Sequence, residues 1–178
     1  MASSHLRLPS RQDPLDALQS ALRPPRQINQ QVIYIGNYTA LYYHIVFSTK
    51  GRKPLLTPNI QQRLYAYLQH CSKSKSHSII KVNGMSDHIH ILLIAYSGNF
   101  VISNFVREIK KSTNKFLNTA MGMNGSFAWQ DGYFVCTVSK RDVAAICRYI
   151  EMQQEHHNKF DIAKELEIIF GLNEDELW

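Results

Sequence analysis

Apolar and polar residues alternate along the chain with two periods, one typical of strands and one typical of helices. Runs rich in aromatic and β-branched residues have the length and composition of β-strands. Four strands are predicted, at 41–48, at 78–82, at 88–96 and within 127–138. The run at 88–96 is largely apolar, so we predict that it is buried at the centre of a sheet.

The segments between these runs place apolar residues three and four positions apart, which predicts amphipathic helices. Helices are predicted at 59–73, at 101–116, at 140–157 and at 163–170. The segment 97–99 is predicted to cap the second helix, and Ser139 is the predicted N-cap of the third. The order β-α-β-β-α-β-α with a closing helix predicts an α+β protein of the ferredoxin-like, split βαβ type. Its sheet would be antiparallel, with helices on one face.

Positions 1–36 differ in composition from the rest of the chain. Prolines and arginines are frequent there, and only the segment 13–22 has the pattern of a short amphipathic helix. We therefore predict a flexible N-terminal arm at 1–36 and a single folded domain at 37–178, which is long enough to bury a core.

The balance of charged residues favours a polyanionic partner. The formal net charge is +6 and the sequence pI is about 9.3, although many soluble proteins are mildly basic for no specific reason. The three cysteines form no CxxC pair, which argues against a zinc ribbon or a disulfide framework and predicts a reducing, cytoplasmic location. No apolar run has the length of a membrane span, and we expect no membrane partner.

His88 and His90 are separated by one residue at the start of the third predicted strand. Residues i and i+2 of a strand point to the same face, so both imidazoles project together while Ile89 points away. Imidazole is a common ligand of divalent metals, and two on one face leave further coordination positions open. A pair of exposed histidines on a sheet face is the alternative that this pattern leaves open.

The helix predicted at 140–157 carries Tyr149 and Gln153 four residues apart, on one stripe beside its apolar face. If this stripe faces the histidines, Gln153 could supply a third ligand, an amide oxygen, and Tyr149 could supply a nucleophile. From the helix alone, the favoured interpretation is a boundary tyrosine with its ring on the core and its hydroxyl in water.

Several short motifs occur in the order found in one enzyme family. They are 43–55 (YHIVFSTKGRKPL), 87–93 (DHIHILL), 129–133 (WQDGY), Ser139, 149–153 (YIEMQ) and the histidine pair at 156–157. The chain resembles the single-tyrosine transposases of the His-hydrophobe-His (HUH) nuclease class. The particular resemblance is to the REP-associated tyrosine transposases and the small bacterial insertion-sequence transposases, and it covers about 38–178.

The resemblance implies a role for each matching residue. His88, His90 and Gln153 would hold a divalent ion, Mg²⁺ or Mn²⁺. Tyr149, on the helix after the last strand, would be the nucleophile. The enzyme would cleave and rejoin single-stranded DNA, commonly folded as a hairpin, through a 5′-phosphotyrosine intermediate. Family members also act as dimers, so a homodimer is expected.

The basic residues predicted to contact DNA fall into two clusters. One follows the first strand, and the other lies on the helix after the histidine strand, among amide side chains suited to phosphates and base edges. A solvated helix face is the alternative for the second cluster. The residues are Lys50, Arg52, Lys53, Arg107, Lys110, Lys111 and Lys115.

Two other functions fit parts of the sequence. A non-catalytic nucleic-acid-binding module could use the same ferredoxin-like sheet, although the aromatic motif of such RNA-binding domains is not evident. An HUH replication or conjugation initiator would use the same chemistry, but we would expect it to carry a helicase or a long second domain. The transposase is the favoured interpretation.

Overall fold

The computed structural model describes residues 38–72, 74 and 76–153. Within them the chain forms four strands and three α-helices in the predicted order. The elements are β1 (Leu41–Ser48), α1 (Pro58–Cys71), β2 (His77–Gly84), β3 (His88–Ala95), α2 (Ile102–Thr119), β4 (Phe134–Val138) and α3 (Val143–Glu151). A short 3-10 helix, Lys50–Arg52, follows β1. The predicted arm at 1–36 and the predicted helix at 163–170 lie outside the described residues.

The strands form one antiparallel sheet in the order β2-β3-β1-β4. The element order and the antiparallel pairing are those of the split βαβ plan, so the predicted fold class is confirmed. β3 is hydrogen-bonded on both sides, to β1 and to β2, and each of its eight residues is buried. Its predicted central position is therefore confirmed.

One face of the sheet is covered by α1 and α2. Its side chains are aliphatic and aromatic, and they form a continuous hydrophobic core with both helices. The core includes Ile45, Phe47, Ile79, Val82, Ile89, Ile91 and Leu93 from the strands and Leu64, Leu68, Phe105, Val106, Ile109 and Leu117 from the helices. Burial of each such side chain contributes about 1.5–3 kcal/mol, which holds the two helices on the sheet.

The other face of the sheet packs against α3. Asn83 lies opposite His90 in the pairing of β2 with β3, so both side chains point to this face. Asn83 donates from Nδ2 to the carbonyl oxygens of Ile150 (2.8 Å) and Glu151 (3.1 Å). Lys81 forms an ion pair with Glu151. The sequence predicted that the helices lie on one face of the sheet. The two helices α1 and α2 do share one face, whereas α3 lies against the opposite face.

The structure corrects the predicted start of α2. The helix begins at Ile102, and Val101 is its N-cap residue, with 52% of its surface exposed. The segment 97–99 belongs to a separate turn, closed by a hydrogen bond from the Phe100 amide to the carbonyl of its first residue (3.2 Å). The predicted cap is therefore wrong, because these polar residues are used to turn the chain before the helix starts.

The structure also corrects the helix predicted at 140–157. α3 begins directly after Asp142, which is its N-cap residue. Ser139, the predicted N-cap, instead donates from Oγ to Asp142 Oδ2 (2.6 Å) and accepts from the Asp142 amide at its carbonyl (2.9 Å). α3 ends at Glu151, the chain turns at Met152, and Gln153 is again helical. The rest of the predicted helix lies outside the described residues.

Gly84 ends β2 at a point where the backbone of β3 comes very close. A Cβ atom at Gly84 would lie 2.2 Å from the carbonyl oxygen of His88 and 2.7 Å from Cα of Ile89, both backbone atoms. We predict that Gly84→Ala lowers the free energy of unfolding by about 1–3 kcal/mol, because two paired strands must separate. Urea denaturation measures the change.

Gly98 is the matched control, because a Cβ atom there meets nothing within 4 Å. Gly98→Ala should change the free energy of unfolding by no more than about 0.5 kcal/mol. Equal stability of the two variants would contradict the close approach at Gly84.

Candidate functional site

His88 and His90 lie side by side on the second face of β3. Both side chains are fully buried, and their ring centroids are 5.2 Å apart, with the rings nearly perpendicular at 73°. The i, i+2 spacing therefore places the imidazoles together, as predicted. The alternative of an exposed pair of histidines is excluded.

His88 is held by a carboxylate. Its Nδ1 lies 2.8 Å from Asp87 Oδ1, and the other carboxylate oxygen of Asp87 accepts from Arg52 Nε (3.2 Å). Burial raises the pKa of Asp87, but the hydrogen bond from His88 and the charge of Arg52 outweigh it, so the pKa lies below its ordinary value. An ionised Asp87 only accepts hydrogen bonds, so His88 donates from Nδ1, and Nε2 is the ring nitrogen that this bond leaves for another partner.

His90 is held by a second histidine. Its Nδ1 lies 3.0 Å from Nε2 of His44, a fully buried residue of β1, and the two rings stack with centroids 5.2 Å apart. Burial lowers the pKa of His44 to about 4, so its ring is neutral at physiological pH. His44 belongs to the motif at 43–55, but its place beside His90 was not predicted.

Tyr149 reaches this face from α3, and Gln153 lies two residues beyond the end of that helix. The Tyr149 ring lies edge-on to both His44 and His90, with centroid distances of 6.1 and 5.9 Å. The side chain of Gln153 is fully buried. The end of α3 is fixed beside β3, because Asn83, the cross-strand neighbour of His90, binds the last carbonyls of the helix.

The chemistry of these donors suits a divalent ion. Among the residues that the structure describes, no three His, Cys, Asp or Glu side chains form a group that could hold a metal. His88 and His90 offer two imidazole nitrogens, and Gln153 offers an amide oxygen. Two nitrogens and one neutral oxygen leave coordination positions open for a substrate, which is typical of a catalytic site rather than a closed structural one.

The predicted DNA-binding residues are not all equally exposed. Lys50 and Lys53 are exposed after β1, and Arg107, Lys111 and Lys115 are exposed on α2. Arg52 is engaged by Asp87 as described above. Lys110 donates from Nζ to the carbonyl oxygens of Gln130 (2.8 Å) and Gly132, and it lies 5.0 Å from the centroid of the Phe47 ring. Burial lowers the pKa of Lys110.

In the part of the chain that the structure describes, no helix combines the length and apolar character needed to cross a membrane.

The profile of one protein family, described as "Transposase IS200 like", matches residues 37–153. The chain belongs to the IS200-like transposase family. It is therefore a transposase, a DNA strand transferase that acts in DNA transposition and recombination. Enzymes of this family generally depend on a divalent metal ion. Family membership favours the transposase over the non-catalytic module and the replication initiator.

Relatives in Deinococcus radiodurans support this assignment. The ISDra2 transposase TnpA of that organism is 28% identical over 125 residues, which cover 67% of this chain and 89% of the relative. The crystal structure of a candidate transposase from the same organism is 27% identical, with a TM-score of 0.50, and the match covers 71% of this chain and 98% of that one. A REP-associated tyrosine transposase bound to a REP hairpin is 18% identical, with a TM-score of 0.49, over 83% of this chain and 92% of that one.

Adjacent lysines on α2 have different surroundings, and this difference can be tested. Lys110→Met should lower the free energy of unfolding by about 1 kcal/mol, because the hydrogen bonds to the segment 130–132 are lost. Lys111 is exposed, so Lys111→Met should change it by no more than about 0.5 kcal/mol. Thermal and urea denaturation of both variants measure the effect. Equal effects would mean that Lys110 does not hold this segment.

Proposed function

We propose that this transposase cleaves and rejoins single-stranded DNA through a 5′-phosphotyrosine formed on Tyr149. His88, His90 and Gln153 would hold the divalent ion, Mg²⁺ or Mn²⁺. One observation carries the proposal: on the face that α3 covers, the ring centroid of the buried His90 lies 5.2 Å from that of the buried His88 and 5.9 Å from that of Tyr149.

The orientation of the two rings supports the metal-binding role. His88 turns Nδ1 to the Asp87 carboxylate, and His90 turns Nδ1 to His44. In both histidines Nε2 is then the nitrogen that would meet an ion. Outer partners of this kind fix the ring and the tautomer of ligating histidines in metalloenzymes. When bound, the ion would supply Lewis-acid polarisation of the scissile phosphate.

Tyr149 would carry out the covalent step. Its Oη forms a bond to phosphorus while the bond from phosphorus to the 3′-oxygen breaks. The tyrosine proton is lost and the departing 3′-oxygen gains one from solvent. A 3′-hydroxyl from another strand then attacks the same phosphorus and restores the tyrosine. The phosphodiester energy is kept in the intermediate, so no nucleotide cofactor is required. The edge contacts with His44 and His90 would hold the Tyr149 ring in place for both steps.

The exposed basic residues would bind the DNA, which we propose to be single-stranded and folded as a hairpin. Arg107, Lys111 and Lys115 present charge to solvent on α2, and Lys50 and Lys53 do so after β1. Contacts of this kind recognise phosphates without reading sequence. We assign Arg52 and Lys110 a smaller share of the contacts with DNA phosphates, because each already makes hydrogen bonds within the protein.

A homodimer would complete the proposed assembly. Among the strands that the structure describes, β4 lies at one edge of the sheet, and a strand edge can associate with a second chain. The cytoplasmic location remains a prediction from the sequence.

The first test concerns the nucleophile. The purified chain is incubated with Mg²⁺ or Mn²⁺ and a labelled single-stranded hairpin from the flanks of its own gene, and covalent adducts are separated on a denaturing gel. We expect an adduct for the wild type and none for Tyr149→Phe or in EDTA. DNA binding by Tyr149→Phe should be retained, because only the hydroxyl is removed.

Tyr65→Phe is the control for this test, because it removes the buried hydroxyl of a half-buried tyrosine on α1, on the other face of the sheet. This variant should form the adduct at the wild-type level. An adduct that persists in Tyr149→Phe would assign the chemistry to another residue.

The second test concerns the ion. Gln153→Ala should weaken Mn²⁺ binding, measured by titration calorimetry, by at least about tenfold. Loss of even a residue that only hydrogen-bonds to a metal ligand lowers metal affinity about 10- to 100-fold, and loss of a ligand itself should cost no less. Gln61→Ala removes another buried glutamine, from α1, and should leave Mn²⁺ affinity unchanged. Unaltered affinity in Gln153→Ala would remove this residue from the proposed ligand set.

A further inference from the structure

We infer that His44 is a positioning residue of this enzyme, which accepts a hydrogen bond from His90 and so holds the Nε2 of His90 ready to bind the ion. The inference rests on the proposed function, in which His90 is a ligand. The inference adds His44, a residue of β1, to the residues that the proposed metal site needs.

The contact between the two rings is short and shielded from water. His44 Nε2 and His90 Nδ1 are 3.0 Å apart, and both side chains are fully buried. The rings stack at an interplanar angle of 30°. In the sheet, Val46 lies opposite His90, and His44 lies two residues away on the same face. The register between β1 and β3 therefore fixes the contact, so that neither ring can turn without leaving its partner.

The position of one proton decides whether His90 can serve as a ligand. A neutral imidazole has one N–H and one lone pair. If His90 carries its proton on Nδ1, it donates to His44 Nε2, and its own Nε2 has the lone pair that a metal requires. If His44 donates instead, the proton of His90 is on Nε2, and that nitrogen cannot bind a cation. His44 supports the site only in the first arrangement, with its own proton on Nδ1.

The two ligands would then have outer partners of different chemistry. Asp87 gives His88 a carboxylate acceptor, whereas His44 gives His90 an imidazole. The His44 ring lies beside Tyr149, with ring centroids 6.1 Å apart. A carboxylate at this position would place a negative charge close to the phosphate that Tyr149 attacks and would repel it. A histidine orients the ligand without that repulsion.

The test compares two substitutions of His44 in the full chain. His44→Phe keeps a planar ring but removes the acceptor, and His44→Gln offers an amide oxygen near the position of Nε2. We expect Mn²⁺ affinity, measured by titration calorimetry, to fall about 10- to 100-fold in His44→Phe and to be largely restored in His44→Gln. Cys136→Ala, which alters the cross-strand neighbour of His44 on β4, should leave the affinity unchanged.

A second measurement uses the metal-free wild type and does not depend on any variant folding. Long-range proton–nitrogen NMR of the histidine rings should show the proton of His90 on Nδ1 and that of His44 on Nδ1. A proton on Nε2 of His90 would overturn the inference. So would wild-type Mn²⁺ affinity in a folded His44→Phe.

The two proposals fail in different ways. Absence of Mn²⁺ binding by the wild type would overturn the proposed metal site and the role of His44 with it. Binding by the wild type that is lost in Gln153→Ala but unchanged in His44→Phe would overturn the role of His44 alone.

Discussion

The burial of β3 on both faces is the constraint on which the site depends. Its eight residues are covered, on one side by the core under α1 and α2 and on the other by α3. A buried imidazole without a hydrogen bond costs free energy, so His88 and His90 each require a polar partner. Asp87 and His44 satisfy that requirement, and the same bonds fix how the rings are turned. The same two hydrogen bonds therefore stabilise the buried strand and orient the proposed ligands.

The sequence predicted much of this arrangement, because strand periodicity is a local property. The alternation along β1 and β3 identifies both strands, and the i, i+2 rule places His88 and His90 on one face. The side of the sheet that α3 covers could not be predicted in this way. An amphipathic helix shows which of its own faces is apolar, whereas the choice between two sheet faces depends on tertiary contacts such as those from Asn83.

Other details were missed for similar reasons. Ser139 and Asp142 are both good N-cap residues, and the sequence does not reveal that the serine bonds to the aspartate instead of starting the helix. His44 becomes a neighbour of His90 only once β1 and β3 are paired in one register. Net charge indicates DNA as a partner, but it cannot separate the exposed Lys111 from Lys110, which binds carbonyl groups of the segment 130–132.

The sheet separates the two tasks of the proposed enzyme. α2 packs through its apolar residues on the core face, so its exposed basic side chains, those of Arg107, Lys111 and Lys115, point away from the sheet on that side. Tyr149 lies on the opposite face, beside His90. A phosphate bound by α2 therefore cannot be the phosphate that the tyrosine of the same chain attacks. Under the proposed function, DNA must contact both faces with different segments, and recognition by α2 can change without altering the buried histidines.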